Sequence, residues 1–389
     1  ASGRLAGKLT RRNGGGVRVR ILVAGGAGYV GSTSVEAFLA AGHHVVVYDD
    51  LSTGHASSVI KPARLVRGSV QDRTRLENLL RNERIDAVLH CAAKSLVGES
   101  MLDPALYYRH NVTGGVAILE AMKGAGVTRI VYSSTAAVYG EPRRVPIAEA
   151  DRTDPINPYG ATKLAFEGAM RWFAASHDFR AISLRYFNVA GATERNGEDH
   201  QPETHLIPVV LRVAAGEASH VQIFGQDYST PDGTCIRDFV HVRDLAAAHL
   251  LALEATGEGD PSLEVYNLGS AAGFSVREVV EAARKVTGRA IPARVLKRRS
   301  GDPPVLVASS RRARRELGWQ PQHSKLDEML TDAWAWRLAH PNGYGRSAAT
   351  DGVAPRPAAS AVSAEGEGEP VRVTDAAAIA AGAPARSRA

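Results

Sequence analysis

The feature that most constrains this chain is a glycine-rich turn set between an apolar run and a helical pattern. Ile21–Ala24 are apolar and lead directly into Gly25-Gly26-Ala27-Gly28-Tyr29-Val30-Gly31, with glycines at 26, 28 and 31 in GxGxxG spacing and at 25, 28 and 31 in GxxGxxG spacing. Such a turn lets the backbone approach a pyrophosphate closely. The helix that follows points its free N–H groups and its positive dipole end at the anion. The next apolar run ends in Asp49-Asp50, where a carboxylate binds ribose hydroxyls and repels a 2′-phosphate. The combination predicts a strand–loop–helix unit for a dinucleotide, NAD rather than NADP.

The rest of the chain repeats the alternation. Arg20–Ala24, Val45–Asp49, Arg64–Arg67, Ala87–Cys91, Arg129–Ser133 and Ile182–Phe187 read as strands, several of them apolar on consecutive positions as parallel strands covered on both faces are. Helical patterns separate them at Val35–Ala41, Thr74–Asn82, Pro104–Gly124 and Pro158–Ser176, and later ones cover Leu206–Gly216, Ser275–Thr287 and Lys325–Ala339. This order predicts an α/β fold, a doubly wound parallel sheet of Rossmann type with a smaller C-terminal substrate-binding lobe. The expected division is a basic, flexible extension over 1–17 and a mainly NAD-binding domain over 18–190. A mainly substrate-binding lobe with returns to the first domain follows over 191–345, then a disordered Ala-rich tail over 346–389.

A second constellation carries chemistry. Tyr159 and Lys163 follow Asn157-Pro158, a helix start, and so lie one turn apart on one helix face. An ammonium beside a phenol favours the phenolate, which predicts a Tyr159 pKa below the ordinary ~10 and a general base. Upstream, Ser133-Ser134-Thr135 closes a strand at its C-terminal end, where ligands bind in open α/β sheets. A hydroxyl there can serve both the phenol and a substrate hydroxyl.

With these residues in place the chain resembles the extended short-chain dehydrogenase/reductases, specifically the UDP-glucose 4-epimerases of the NAD-dependent epimerase/dehydratase family. The resemblance runs over about residues 18–345 and rests on GGAGYVGS at 25–32, VGES at 97–100, SSTAAVYG at 133–140, PYGATK at 158–163 and LRYFNVAGA at 184–192. It continues through IFGQDYSTPDGTCIRDFVHVRDLA at 223–246, YNLGS at 266–270 and RRSGDPP at 298–304. It implies that Tyr159 takes the proton of a sugar 4-OH, that Thr135 shares the proton path, and that Lys163 supports Tyr159 and holds the nicotinamide ribose. NAD then falls to Gly25, Gly28, Tyr29, Val30, Gly31, Asp49, Asp50, Ser69, Val70, Cys91, Ala92, Ala93, Asn111, Lys163 and Phe187. The UDP-sugar falls to Thr135, Tyr159, Asn188, His205, Leu206, Gln222, Phe224, Arg237, Arg299, Asp302 and Leu306. Leu306 occupies a position where some members carry Tyr and others a smaller residue, and the smaller residue leaves space for an N-acetyl group. Departures from the family pattern are Asp50 in place of Asn, Ser69 in place of Asp, and Cys91-Ala92-Ala93-Lys94-Ser95 in place of Phe-Ala-Gly-x-Lys.

Composition narrows the alternatives. The net charge of +6 is carried by Arg4, Lys8, Arg11, Arg12, Arg18 and Arg20, which leaves 41 basic residues against 41 acidic ones, so nucleic acid is not an expected partner. No apolar run approaches the ~18–20 residues of a membrane span, and the first residues lack the apolar stretch of a secretory signal. With two widely separated cysteines, a cytoplasmic protein is expected. The 13 histidines show no metal-ligand spacing, and no metal is expected. A homodimer is implied by the resemblance alone. A 4,6-dehydratase would need acid/base carboxyls where Ala136-Ala137 stand. An N-acetylglucosamine or uronate epimerase remains open. A non-catalytic NAD sensor, the rival from another class, would have no use for the Tyr–Lys pair.

Overall fold

A computed structural model describes residues 18–299 and 302–345. The expected basic arm over 1–17 and the expected disordered tail over 346–389 lie outside the described residues. Seven parallel strands form the main sheet: β1 (Arg20–Ala24), β2 (His44–Asp49), β3 (Arg64–Arg67), β4 (Ala87–His90), β5 (Arg129–Thr135), β6 (Arg180–Tyr186) and β10 (Ser262–Leu268). Their spatial order is β10-β6-β5-β4-β1-β2-β3. Ile21, Leu22, Val23 and Ala24 of β1 are wholly buried, because both faces of the sheet are covered. One face packs against α1 (Tyr29–Ala40) and α8 (Val242–Ala255), the other against α2 (Arg73–Asn82), α5 (Gly114–Ala125) and α6 (Pro158–His177). The strand order reverses between β1 and β4, and this crevice at the carboxyl ends of the strands is the place for a ligand.

The sequence reading misses two elements that complete this layer, β10 and α8. Strand β10 lies at the sheet edge and carries Glu264 and Asn267, so it lacks the unbroken apolar run of a central strand. It is recruited by pairing with β6 from Ser262↔Arg180 to Leu268↔Tyr186. The pattern over 104–124 is also not one helix. It is divided into α4 (Pro104–Tyr107), a π turn at Tyr108–Thr113 and α5, and the π turn presents Asn111 to the crevice side. Helix α1 begins six residues earlier than its apolar pattern shows, because its first turn contains glycine and small polar residues.

The remaining strands build the lobe. A small sheet joins β7 (Asn188–Ala190), β9 (Ile236–His241), β11 (Gly273–Ser275) and β13 (Val305–Leu306), and a two-stranded sheet pairs β8 (Val221–Phe224) with β12 (Ala293–Leu296). Helices α7 (Leu206–Ala214), α9 (Val276–Thr287) and α11 (Leu326–Ala339) share a core of Ile207, Val210, Leu211, Phe239, Val279, Val280, Met329 and Leu330. The described helices are completed by α3 (Val97–Leu102) and α10 (Arg311–Glu316) and by two short 3₁₀ turns, and none is long and apolar enough to cross a membrane.

One buried ion pair fixes α6 on the sheet. Arg185 of β6 reaches Glu167 of α6 through two hydrogen bonds, Nε to Oε1 at 3.0 Å and Nη2 to Oε2 at 2.5 Å. Ser134 and Ser183 also donate to Glu167 Oε1, at 2.6 and 2.7 Å. Removing one partner strands a buried charge, which costs about 3–5 kcal/mol. Arg185→Met is therefore expected to lower stability by that amount in urea titrations. The double variant Arg185→Met/Glu167→Gln, which removes both charges, is expected to lose less. Equal losses would mean that the pair's charge is not what matters.

Candidate active site

The phosphate loop is built by crowding. Gly25 has φ +78°, and a Cβ on it would sit 2.4 Å from the Ala92 amide nitrogen at the end of β4. A Cβ on Gly31 would lie 2.1 Å from the Gly25 carbonyl oxygen. These two glycines are required by the fold of the loop itself. Gly28 is different: a Cβ there would meet only the Gly25 carbonyl, at 3.5 Å, an ordinary contact. Gly28 is also the N-cap of α1 and offers no side chain to the orphan N–H groups of the first turn. The smooth, uncapped helix start suits an anion brought close to the backbone.

Asp49 ends β2, buried, with Oδ2 accepting the Ala27 amide at 3.0 Å and Oδ1 the Leu51 amide at 2.9 Å. Burial raises its pKa, and the two amides partly offset the rise. Asp50 turns into a local bond with the Ser52 amide at 2.8 Å. Ser69 follows β3 and its carbonyl accepts the Tyr48 hydroxyl at 3.0 Å, while Val70 packs on the core beneath. Cys91 and Ala92 both donate their amides to the Ala24 carbonyl and close the crevice between β1 and β4, with Ala93 next in the chain. Asn111 braces the following segment, accepting the Lys94 amide at 2.8 Å and donating to the Lys94 carbonyl at 3.0 Å. The loop, the uncapped helix and the carboxylate at the second strand end fit a dinucleotide.

The catalytic candidates converge at the ends of β5 and α6. Asn157 caps α6 by accepting the Gly160 amide at 2.8 Å, and Pro158 occupies the first turn, which sets Tyr159 at the mouth and Lys163 one turn deeper. The three strand-end hydroxyls have separate partners. Ser133 Oγ meets His249 Nε2 at 3.0 Å and Cys91 Sγ at 3.1 Å, and Ser134 Oγ is spent on Glu167. Thr135 Oγ1 accepts the Ala137 amide at 3.1 Å, which leaves its proton for the Tyr159 phenol. Thr135 is thus the strand-end hydroxyl available to the chemistry.

The electrostatics correct one expectation. Lys163 is buried and donates to the Ser133 carbonyl at 2.8 Å, which holds Nζ 5.9 Å from the Tyr159 ring centroid and 4.8 Å from that of Tyr132. Burial lowers the Lys163 pKa to about 8. The Tyr159 pKa is raised, not lowered: burial raises it, and the Thr135 hydrogen bond only partly opposes the rise. The ammonium is anchored to a carbonyl rather than to the phenolic oxygen, and desolvation wins.

The substrate candidates line the lobe side. Phe187 is buried at the end of β6, and Asn188 opens β7 with its side exposed. His205 is the N-cap residue of α7 and Leu206 its first residue. Gln222 and Phe224 share one face of β8, with Gln222 exposed. The Arg299 guanidinium lies 3.8 Å from the centroid of the Phe224 ring. Arg237 of β9 is ion-paired with Asp302, and Leu306 of β13 is in register with Arg237. Leu306 packs on an apolar cluster of Ala136, Val138, Tyr139, Ile147, Phe187 and Ala308, and Ala136 begins the turn that follows Thr135. The sequence reading missed Glu198, His200 and Glu203, which gather around His205. Their spacing of two, five and seven residues in an irregular segment has no period to announce it.

Residues 21–269 match the model of the NAD dependent epimerase/dehydratase family. The chain belongs to that family. It is similar to the UDP-glucose 4-epimerase of Lacticaseibacillus casei, with 50% identity over 327 residues, 84% of this chain and 98% of that protein. Among solved structures it is similar to the UDP-glucose 4-epimerase of Bifidobacterium longum in complex with NAD+ and UDP, at 36% identity and a TM-score of 0.79, over 83% of this chain and 99% of that one. It is also similar to the UDP-Glc/GlcNAc 4-epimerase of Campylobacter jejuni, at 38% identity and a TM-score of 0.73, over 82% and 99%. For this member of the family, Gly31→Ala tests the loop directly. The clash with the Gly25 carbonyl is expected to cut the NAD(H) released per chain on acid denaturation to less than about a tenth of the wild-type amount, a loss of ~1.4 kcal/mol or more in binding. Wild-type release from the variant would show that the loop yields.

Proposed function

We propose that the chain interconverts UDP-glucose and UDP-galactose by oxidation at C4 to a 4-keto sugar and re-reduction on the opposite face. The observation that carries this reading is the placement of Tyr159, Thr135 and Lys163 at one strand end beside the phosphate loop, on a chain half identical to a UDP-glucose 4-epimerase. Bound NAD would supply the hydride acceptor for C4 and then the donor. Gly25, Gly28, Tyr29, Val30, Gly31 and Asp49 would hold its adenosine and pyrophosphate, with Lys163 at the nicotinamide ribose.

The protein's own part is proton management and positioning. Tyr159 takes the O4 proton as C4 loses its hydride, and gives it back when the hydride returns, so no proton or electron is consumed in a turnover. Thr135 donates to the phenolic oxygen and steadies it while it is charged. Lys163, fixed on the Ser133 carbonyl, sets a positive charge beneath both rings, and that charge is lost as pH rises through about 8. Arg237 and Arg299 offer planar donors to the diphosphate, which suits guanidinium better than ammonium. Tyr159→Phe deletes one hydroxyl and leaves the helix intact. Turnover of UDP-galactose is expected to fall by at least about 100-fold while NAD content stays unchanged. Near-normal turnover would remove Tyr159 from the mechanism.

A broader substrate range is supported by Leu306. It packs on the apolar cluster that includes Ala136 and Phe187, and is smaller than the tyrosine some relatives carry there. UDP-N-acetylglucosamine is therefore expected to be a second substrate. Leu306→Tyr is expected to lower its turnover relative to UDP-glucose by about tenfold or more, the range that steric exclusion in a packed pocket provides. An unchanged ratio would show that Leu306 does not face the acetyl group. We also place the protein in the cytoplasm as a homodimer. Free Cys91 and Cys235 suit a reducing compartment, and Met101 and Leu102 on α3 with Trp172 on the adjacent α6 are apolar side chains exposed at 60%, 88% and 72%.

A further inference from the structure

The segment 197–205 folds back on itself just before α7. Gly197 donates its amide to the Tyr344 hydroxyl at 3.0 Å, Tyr344 donates its amide to Asp199 Oδ2 at 3.0 Å, and His55 Nε2 meets the Asp199 carbonyl at 2.9 Å. Held by these contacts, Glu198, His200, Glu203 and His205 turn one ligand atom each toward a common point, all within 4.8 Å of one another. His205 Nδ1 lies 2.8 Å from Glu198 Oε1 and 2.9 Å from Glu203 Oε1, and His200 Nδ1 lies 3.1 Å from Glu198 Oε1 and 3.8 Å from Glu203 Oε2. The groups do not separate into two pairs. Both imidazoles aim Nδ1 at the same carboxylate oxygen.

We propose that these four side chains bind one divalent transition-metal ion, Zn²⁺ or a chemical equivalent. Four ligands at ~2.0–2.1 Å around a tetrahedral ion are about 3.3–3.4 Å from one another. The imidazole contacts of 2.8 and 3.1 Å to Glu198 Oε1 and of 3.8 Å to Glu203 Oε2 bracket that edge, and the wider spacings, up to 4.8 Å, close as the side chains turn onto the ion. Two imidazole nitrogens and two carboxylates form a borderline donor set that suits zinc and its neighbours better than calcium or magnesium. Two carboxylates and two neutral imidazoles neutralise a divalent cation. Glu203 is already oriented: its Oε1 accepts the amides of Thr204 and His205 at 2.7 and 2.8 Å, the kind of outer contact that fixes a metal-binding carboxylate, and its Oε2 is left for the ion.

The ion's place defines its role. His205 immediately precedes α7, and the same segment hangs on α1 through Tyr29, whose hydroxyl donates to the Gly191 carbonyl at 2.5 Å, and through Glu36, whose carboxylate accepts Thr193 and Asn196 at 2.9 and 2.6 Å. A metal at the four side chains ties the start of α7 to the phosphate-loop helix and sets the position of His205 and Leu206. It is a clamp on the lobe, outside the proton path of Tyr159.

The test uses the untagged full chain with its NAD bound. After chelator treatment and exchange into one equivalent of ZnCl₂, about one zinc per chain is expected to remain through gel filtration, measured by mass spectrometry. In His200→Ala, zinc affinity is expected to fall by at least about tenfold, the loss typical of removing a metal-site partner. In His200→Cys, whose sulfur reaches nearly as far as Nδ1, Co²⁺ is expected to give a near-ultraviolet thiolate-to-cobalt band absent from the wild type, with NAD content as the check of folding. Zinc that washes out of the wild type, zinc retained equally by His200→Ala, or a folded His200→Cys protein without the band would each overturn the proposal. The first would leave the four groups as hydrogen-bonded imidazolium–carboxylate contacts.

Discussion

The active-site geometry depends on the carboxylate of Glu167. It ties α6 to the centre of the sheet by taking hydrogen bonds from Ser134 on β5 and from Ser183 and Arg185 on β6. Arg185 extends the network to the Tyr139 hydroxyl at 2.9 Å, and Tyr139 donates to Asn267 of β10 at 2.7 Å. The turn after Thr135, the helix bearing Tyr159 and Lys163, and the edge strand are therefore set in register by one satisfied polar cluster. In a low-dielectric interior such a cluster is rigid only when every member is paired, and here it is. Apolar packing alone would leave α6 free to slide by fractions of an ångström, which is the scale on which proton transfer is decided.

Burial then sets the chemistry of the groups so held. It lowers Lys163 to about 8 and raises Tyr159, while it pushes the Cys91 thiol up to about 11 and keeps His249, between Ser34 and Ser133, down at about 3. Cys91 and His249 are thereby inert supports at physiological pH. Tyr159 has the Thr135 hydroxyl as its hydrogen-bond partner, and that bond only partly opposes the effect of burial.

The lobe is coupled to this centre through a few polar contacts. Tyr29 and Glu36 on α1 hold the segment that runs from Gly191 to the start of α7, and the Glu198–His205 cluster lies at its end. The phosphate-loop helix thus supports the crevice and the start of α7 together. Arg237, Asp302 and Leu306 are brought together by the β9–β13 pairing, which no local pattern in a Pro/Gly-rich stretch announces.

What the sequence determined by itself was whatever is written in short-range backbone terms. The glycines of the phosphate loop, the carboxylate at the second strand end, the Asn157-Pro158 helix start and the one-turn spacing of Tyr159 and Lys163 are local, and the α/β alternation follows from apolar runs of sheet and helix period. The family resemblance added the assignment of roles to these positions. Tertiary structure decided which of three adjacent hydroxyls is free, because Ser133 and Ser134 are claimed by His249 and Glu167 from distant helices. It decided that Tyr159 is pushed up in pKa, because Lys163 is drawn to a carbonyl and burial outweighs the Thr135 hydrogen bond. It decided that β10 joins the main sheet, and that Glu198, His200, Glu203 and His205 share a centre. Each of these rests on a long-range contact or on desolvation, and neither is a property of residues read in order along the chain.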